Sequence, residues 1–317
     1  MTEKAPKILV VTGPTATGKT AAGVLLAEQY GGEVVSADSM QVYRGMNIGT
    51  AKATEAEMRD IPHHMLDVAS PAENYSVARY VREADVCVRD ILSRGKLPVV
   101  VGGTGLYIDS LLLGRDFGGD ETDTALRCKL SEKYDRLGGQ ALLEELARVD
   151  PERARRLHPA DKKRIVRALE VWYATGQTIT RHDEETRKRP PRYDAAQIAL
   201  GFADRAALYA RIDRRVDRMV ADGLFEEVRA LLNAGVPAAC TAMQAIGYKE
   251  SAAALRGDMA VEEAVETIKR ESRRYAKRQL TWLRAKKNLH WFLWGDSQNW
   301  LDFRQNSTQF LSTYGLE

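Results

Sequence analysis

A glycine-rich stretch near the start of the chain has the residue types and spacing of a phosphate-binding loop. The sequence GPTATGKT runs from Gly13 to Thr20, with four residues between Gly13 and Gly18 and with Lys19 directly after. Glycines let backbone N–H groups curl around an anion, and the start of a following helix adds positive potential. A lysine in this place can contact the outer phosphate oxygens, and the threonine hydroxyl can contact Mg²⁺. The stretch predicts a polyphosphate site with a magnesium ion, formed by Gly13, Pro14, Thr15, Ala16, Thr17, Gly18, Lys19 and Thr20.

A carboxylate, Asp38, stands at the end of the next apolar stretch, EVVSADS. In doubly wound sheets, ligands bind at the carboxyl ends of the strands, so we expect Asp38 to face the loop. A carboxylate in this place can bind Mg²⁺, accept a proton from an attacking nucleophile, or cap the next turn. The spacing alone leaves these three roles open.

The third apolar stretch, LPVVVGGTG, ends in glycines and Thr104 without an acidic residue. ATP-driven motors and GTPases normally carry a second carboxylate after such a strand, which holds the metal ion. Its absence favours a transferase over a motor. The turn GGTGLY offers backbone donors and the Thr104 hydroxyl, which suit a second anion such as a nucleic-acid phosphate; a tight turn chosen for its backbone geometry is the alternative.

The elements that must position these residues alternate along the chain. Continuous apolar runs predict buried parallel strands at KILVVTG, EVVSADS and LPVVVGG, and amphipathic spacing predicts helices between them. From about Phe117 to Pro191 the pattern is helical, with Asp161 and Gly176 as the two ends of one helix. AQIALGF and LHWFLW then predict returning strands. These patterns indicate an α/β fold, with a P-loop NTPase-like parallel sheet core over 1–116 and 192–317 and a helical insertion over 117–191.

The charge is distributed unevenly. The net charge is only +3, but Ile268 to Lys287 is almost wholly basic, with Glu271 as its one acid. Such a block favours a polyanionic partner. No apolar run approaches the roughly 20 residues that cross a membrane, and the first residues are too polar for a signal peptide, so we expect a cytoplasmic protein without membrane contact.

Cysteines and histidines give no metal or disulfide signal. The three cysteines, Cys87, Cys128 and Cys240, are far apart, which indicates separate reduced thiols. The adjacent pair His63 and His64 is interpreted as part of a structural loop, and we assign it no metal.

Seven segments in order resemble the tRNA dimethylallyltransferase family, which prenylates an adenosine beside the anticodon. They are GPTATGKT, SADSMQVYRGMNIGTAK, IPHHMLDV, VGGTGLYI, LHPADKKRIVRALEV, AMQAIGYKE and RRYAKRQLTWLR. The resemblance covers most of the chain, and the tail after about Leu289 carries little of it. A phosphate loop alone is a weak signal, whereas seven ordered segments are specific.

The resemblance implies a chemistry for the loop. The donor is dimethylallyl diphosphate, whose diphosphate binds at Gly13–Thr20 with Mg²⁺ on Thr20. Asp38 is then the general base on the exocyclic amine of adenine. The leaving pyrophosphate is stabilised by Lys19, the loop amides, Mg²⁺ and an arginine, either Arg211 or Arg215.

The resemblance also implies RNA contacts, because the target base must leave its stack. The base pocket is expected to be lined by Asp38, Ser39, Met40, Gln41, Gln244, Ala245, Ile246, Gly247, Tyr248 and Lys249. Contacts to the RNA backbone or neighbouring bases are assigned to Thr104 and Arg127, and further contacts from the insertion to Lys162, Lys163, Arg164 and Arg167. The anticodon stem is expected to meet Lys277, Arg278, Gln279, Thr281, Trp282 and Arg284.

The sequence therefore predicts an enzyme that uses tRNA and dimethylallyl diphosphate with Mg²⁺, and we expect a monomer. Two other functions share parts of the pattern. A small-molecule P-loop kinase has the same loop and strand-end aspartate, and ATP fits the loop motif equally well, but such a kinase has no need of a long basic helix. A nucleic-acid-binding ATPase has the basic block but normally carries the second carboxylate.

Overall fold

The computed structural model describes residues 5–115, 124–295 and 297–316. The chain forms two compact units, one made of Met1–Leu112 with Arg192–Glu317 and the other of Leu113–Pro191. The predicted start of the insertion at 117 lies outside the described residues. Among the helices of the described ranges, none is both long and apolar enough to cross a membrane.

The first unit contains a parallel sheet, which has six strands within the described residues. The strands are β1 (Lys7–Thr12), β2 (Glu33–Ser36), β3 (His63–His64), β4 (Pro98–Gly102), β5 (Asp194–Phe202) and β6 (His290–Trp294). Their order across the sheet is β3-β2-β4-β1-β5-β6, and all neighbours pair in parallel. The five predicted strands are confirmed. The prediction of a loop at His63 and His64 is wrong, because these residues pair with Val34 and Val35; two residues are too few to show a strand pattern.

Helices occupy much of the chain between and after these strands. In chain order they are α1 (Lys19–Gln29), α2 (Glu55–Met58), α3 (Val77–Ser93), α4 (Gly105–Leu113), α5 (Thr124–Leu137), α6 (Gly139–Val149), α7 (Pro151–Arg155), α8 (Lys162–Thr175), α9 (Ile179–Lys188), α10 (Arg205–Ala221), α11 (Leu224–Asn233), α12 (Tyr248–Arg256), α13 (Val261–Arg284) and α14 (Trp300–Thr313). The sequence did not predict α14, in which six consecutive polar residues separate Trp300 and Phe303 from Phe310 and Leu311.

The sheet core explains why β1 is continuously apolar. Residues Ile8 to Val11 are fully buried, because helices cover both faces of the sheet. One core cluster joins Leu9 and Val11 to Leu26 of α1, to Trp294 of β6 and to Phe303 of α14. The C-terminal strand and helix thus belong to the core that supports the glycine-rich loop.

The second unit is built from α5 to α9, and its described residues contain no strand, as predicted. Its core includes Leu142, Leu146, Ile165 and Leu169, all fully buried. The α8 residues Ile165 and Leu169 therefore pack in the core of this unit. Gly176 ends α8 in the left-handed conformation, with φ of 68°.

Candidate active site

The glycine-rich loop connects the central strand β1 to α1. Gly18 precedes the helix in the left-handed conformation, with φ of 86°, and Lys19 is the first helical residue. Two side chains fold back onto one carbonyl: the Thr17 hydroxyl donates to the Pro14 oxygen at 2.8 Å, and Lys19 Nζ donates to the same oxygen at 2.8 Å. The loop therefore has the position and local geometry of a phosphate-binding loop.

A cavity of about 340 Å³ lies where β1, β2 and β4 end. Lys19 and Thr20 of α1, Asp38 after β2 and Arg215 of α10 contribute its charged and hydroxyl groups. Apolar side chains form another part of its wall, and these are Val34, Leu66, Val101, Ile212, Val216, Met219, Ile246 and Ile268. The cavity thus combines a polar end suited to an anion with an apolar wall that suits a hydrocarbon group.

Two of the cavity's cations, Lys19 and Arg215, are destabilised in their charged forms. Burial and, to a smaller extent, the positive charge of Arg215 lower the pKa of Lys19 to about 7, against the opposite effect of Asp38. Burial also lowers the pKa of Arg215, against the attraction of Asp38 and Glu57. Two desolvated cations beside one carboxylate make a site that a polyanion would stabilise.

The structure distinguishes the two candidate arginines, which lie one helical turn apart on α10. Arg215 lines the cavity. Arg211 instead donates through Nε to the Ala16 oxygen at 3.1 Å and through Nη2 to Gln298 Oε1 at 3.0 Å, and its guanidinium stands 5.7 Å from the centre of the Phe202 ring. Arg211 therefore holds the outside of the loop, and the diphosphate contact assigned to it stays a prediction.

Asp38 caps a turn and also lines the cavity. Its Oδ1 accepts hydrogen bonds from the backbone N–H groups of Met40 at 2.8 Å and Gln41 at 3.3 Å. The Thr104 hydroxyl accepts the N–H of Ser39 at 3.1 Å, which ties this turn to the end of β4. The carboxylate is thereby held in one orientation, which suits a general base.

Glycines after β4 permit close packing of α13. A Cβ on Gly103 would stand 2.3 Å from Gln279 Nε2, and one on Gly105 would stand 2.3 Å from the Trp282 ring. Gln279 is buried; its Nε2 donates to the Gly103 oxygen at 3.0 Å, and its Oε1 accepts the Thr15 N–H at 2.9 Å. Gln279 thus joins two loops of the site and also lines the cavity, and the RNA contact assigned to it stays a prediction.

Trp282 is also directed inwards. Its Nε1 donates to Asp109 Oδ2 at 2.9 Å, and Lys286 Nζ lies 4.4 Å from the ring centre. The RNA contact assigned to Trp282 stays a prediction. In the structure, one edge of the ring is hydrogen-bonded to Asp109 and Lys286 lies over one face.

Most residues of the predicted base pocket line the cavity: Asp38, Ser39, Met40, Gln41, Gln244, Ala245, Ile246 and Gly247. Tyr248 does not line the cavity, and its RNA contact stays a prediction that this position does not support. It is fully buried and donates its hydroxyl to Glu227 Oε1 at 2.6 Å. Lys249 is exposed and lies 3.4 Å from Glu250.

Glu227 is a site residue that the sequence did not indicate. Its carboxylate accepts the backbone N–H groups of Asn47, Ile48 and Gly49 at 2.8, 2.9 and 3.2 Å. It thereby holds the loop that brings Gly49, Thr50 and Ala51 to the cavity wall. Because Glu227 lies about 180 positions away in the chain, no local pattern connects it to this loop.

The two halves of α13 differ in how their cations are paired. In the first half, Lys269 pairs with Asp217 at 2.7 Å and Arg273 with Asp213 at 2.5 Å, both on α10. In the second half, Lys277, Arg278, Thr281 and Arg284 are exposed, whereas Leu283 is fully buried. The predicted basic face therefore exists at the second half of the helix.

The predicted RNA contacts of the second unit are mostly in ion pairs. Arg127 donates to Glu170 Oε2 at 3.0 and 3.1 Å, and Arg167 lies 3.1 Å from the same oxygen. Lys162 pairs with Asp135 at 2.6 Å and Arg164 with Asp161 at 3.6 Å. Lys163 is exposed.

A central-strand glycine loop, a strand-end carboxylate and an all-parallel sheet define a P-loop NTPase-like α/β protein. Comparison with known families narrows this class. A family model described as IPP transferase matches residues 41–286, and one described as isopentenyl transferase matches 6–73. The chain belongs to the IPP transferase family.

Individual relatives agree with this assignment. The chain is 49% identical over 288 residues to a tRNA dimethylallyltransferase of Pelotomaculum thermopropionicum, and the match covers 91% of each chain. A crystal structure of the full-length tRNA isopentenylpyrophosphate transferase from Bacillus halodurans is 41% identical, with a TM-score of 0.72 over 99% of this chain and 97% of that one. A eukaryotic dimethylallyltransferase acting on tRNA is 28% identical, with a TM-score of 0.75 over 92% of this chain and 74% of that one.

Proposed function

We propose that this protein transfers a dimethylallyl group from dimethylallyl diphosphate to the exocyclic amine of the adenosine that follows the tRNA anticodon on its 3′ side, with release of pyrophosphate. The observation that carries the proposal is the meeting of Lys19, Thr20, Asp38 and Arg215 at one end of a cavity with an apolar wall. Membership of the IPP transferase family supports it.

The diphosphate is expected at the polar end. Lys19 and Arg215 lack enough acidic partners, and a bound diphosphate would restore the charged state of Lys19, whose pKa burial lowers to about 7. The dimethylallyl chain would lie against Ile212, Val216 and Ile246. Removing its apolar surface from water adds binding energy that ATP does not supply.

The loop also fits a magnesium ion. The described residues contain no group of three His, Cys, Asp or Glu side chains that would hold a metal alone. Mg²⁺ is usually held by one or two protein oxygens together with substrate phosphates and water, and the Thr20 hydroxyl of the cavity is such an oxygen. When bound, the ion would neutralise charge that develops on the leaving pyrophosphate.

The reaction follows from these positions. The amine nitrogen attacks the first carbon of the allylic chain, the bond from this carbon to the diphosphate oxygen breaks, and the electron pair leaves with pyrophosphate. Asp38, oriented by the N–H groups of Met40 and Gln41, accepts the proton of the amine on its other oxygen. Lys19 and Arg215 stabilise the growing negative charge.

The tRNA is expected on the exposed cations of α13. Lys277 and Arg284 are exposed and share one face of the helix, and Arg278, also exposed, lines the cavity. Contacts to phosphates make affinity fall steeply with salt. The target base would leave its stack and enter between Gln244–Gly247 and Asp38–Gln41.

One assay tests the function. Unmodified tRNA, Mg²⁺ and labelled dimethylallyl diphosphate are incubated with the protein, and label on RNA is measured. We expect Asp38→Asn to reduce transfer by about 10³-fold, within the range for loss of a general base, while tRNA affinity stays within about twofold. Asp194→Asn, an exposed residue at the amino end of β5, is the matched control and should keep full transfer.

Two results contradict the proposal. Absence of transfer to RNA, with ATP consumed on a small acceptor, would indicate a small-molecule kinase. Equal losses of transfer and tRNA affinity in Asp38→Asn would make Asp38 a binding or structural residue.

A further inference from the structure

Three side chains hold the glycine-rich loop from outside the cavity. The Thr17 oxygen accepts the indole Nε1–H of Trp294 at 2.8 Å and the amide Nε2 of Gln298 at 3.1 Å. The neighbouring Ala16 oxygen accepts Arg211 Nε at 3.1 Å. Arg211 also donates to Gln298 Oε1 at 3.0 Å, so the three side chains form one connected network.

These contacts determine where the loop amides point. The peptide bonds of the described residues are trans, and in a trans peptide the C=O and the N–H of the next residue point in opposite directions. Because the Ala16 and Thr17 oxygens point towards these three side chains, the N–H groups of Thr17 and Gly18 point away from them. Those are the groups that a phosphate-binding loop offers to its ligand.

The loop needs such support because its backbone is strained. Ala16 has φ of 65°, a left-handed conformation that is unfavourable for a residue with a Cβ. Gly18 permits the close approach of the support: a Cβ there would stand 2.6 Å from Gln298 Nε2. The surrounding side chains therefore impose the loop conformation.

The support is itself rigid. Trp294 is 1% exposed and packs within an aromatic cluster, with ring centres 4.8 Å from Phe292 and 5.0 Å from Trp300. Asn299 caps α14 by accepting the N–H groups of Leu301 and Asp302. Strand β6 and helix α14 thus anchor the two side chains that hold Thr17.

We propose that Trp294, Gln298 and Arg211 form an outer brace that positions the loop amides for the diphosphate. Trp294 and Gln298 lie beyond residue 286, where the family match ends. In the described chain, none of the three lines the cavity, so each is a positioning residue. The inference rests on the proposed function only for the identity of the ligand, because the brace would orient the amides for any polyphosphate.

Trp294→Phe is the main test, because it removes the indole N–H and keeps an aromatic ring in the cluster. We expect the Kd for Mg²⁺-pyrophosphate and the KM for dimethylallyl diphosphate to rise about tenfold, as for one hydrogen bond to a loop whose geometry matters. The KM for tRNA should stay within about twofold. Gln298→Leu should act in the same direction, and the double variant should be worse than either.

Trp300→Phe is the matched control, since it makes the same change in the same cluster without removing a donor to Thr17. It should leave the Kd for pyrophosphate unchanged. The brace is overturned if Trp294→Phe binds pyrophosphate as wild type does, or if it raises both KM values equally together with a lowered Tm. If the wild type binds pyrophosphate but transfers nothing to tRNA, the proposed function fails, and the pyrophosphate measurements still decide on the brace.

Discussion

Arginines and lysines occur in two regions of the molecule under opposite conditions. In the cavity of the first unit, Lys19 and Arg215 are desolvated, and Asp38 is the nearest counter-charge acting on both. In the core of the second unit, Arg127 and Arg167 share the buried carboxylate of Glu170 and keep 46% and 39% of their side chains exposed. Lys19 and Arg215 thus have too little nearby negative charge, whereas Arg127 and Arg167 are paired with a carboxylate.

This difference indicates what each group of cations is for. Desolvated cations with too few acidic partners destabilise the protein without its ligand, and a bound anion removes this cost. Cations that face a buried carboxylate serve the unit's own fold first, because that carboxylate would be destabilising without them. The basic residues predicted for the site therefore divide into a ligand site and a structural network.

The largest expected effect concerns transfer. Arg215→Gln should slow transfer by about 10²- to 10³-fold, as for loss of one group that stabilises transition-state charge. Arg127→Gln, the same change at a paired arginine, should slow it less than about fivefold. Single-turnover transfer at saturating tRNA measures both. Equal losses would remove the distinction between the two regions.

A smaller effect of opposite sign is expected on stability. Lys19→Met should raise the free energy of unfolding by about 1 kcal/mol, since it removes a desolvated positive charge that has too few acidic partners in the folded protein. The sign follows from the pKa: an unfolded lysine keeps its proton up to about pH 10, whereas burial lowers the pKa of Lys19 to about 7, so this residue favours the unfolded chain below pH 10.

Arg167→Met should lower the free energy of unfolding by about 1 kcal/mol, because Glu170 loses a partner. Urea unfolding at pH 7 measures both; changes of the same sign would contradict the comparison.

The smallest effect is a pH dependence of pyrophosphate binding. Lys19, with a pKa of about 7, is half protonated in the free protein at pH 7 and about one-tenth protonated at pH 8. Bound diphosphate favours the ammonium, so binding should take up a proton, and affinity should fall about fivefold from pH 7 to pH 8. Calorimetry in buffers of different ionisation enthalpy measures the uptake.

Lys19→Arg is the control for this pH dependence. It keeps a positive charge that does not titrate near neutral pH, and protonation of pyrophosphate itself is the same for both proteins. A pH dependence unchanged by Lys19→Arg would show that Lys19 is not the titrating group.

Much of the fold was readable from local patterns. Five strands, the helical character of the described part of the insertion and the end of α8 at Gly176 follow from apolar runs, helical spacing and turn residues, which depend on neighbours within a few positions. Strand β3 was missed because two residues show no period. Helix α14 was missed because six consecutive polar residues interrupt its apolar stripe of Trp300, Phe303, Phe310 and Leu311.

The candidate site was likewise predictable from the sequence only in part. The sequence by itself determined the loop Gly13–Thr20, the strand-end carboxylate Asp38 and the basic face of α13, because each is a motif or period carried by consecutive residues. Only the tertiary structure decided that Arg215 faces the cavity while Arg211 donates to a carbonyl of the loop. It also decided that the side chains of Gln279 and Tyr248 are buried in hydrogen bonds within the protein. Finally, it placed Trp294 and Gln298 where they donate to the Thr17 oxygen. Helical spacing shows which residues share a face; which element that face meets depends on packing between segments up to 281 positions apart.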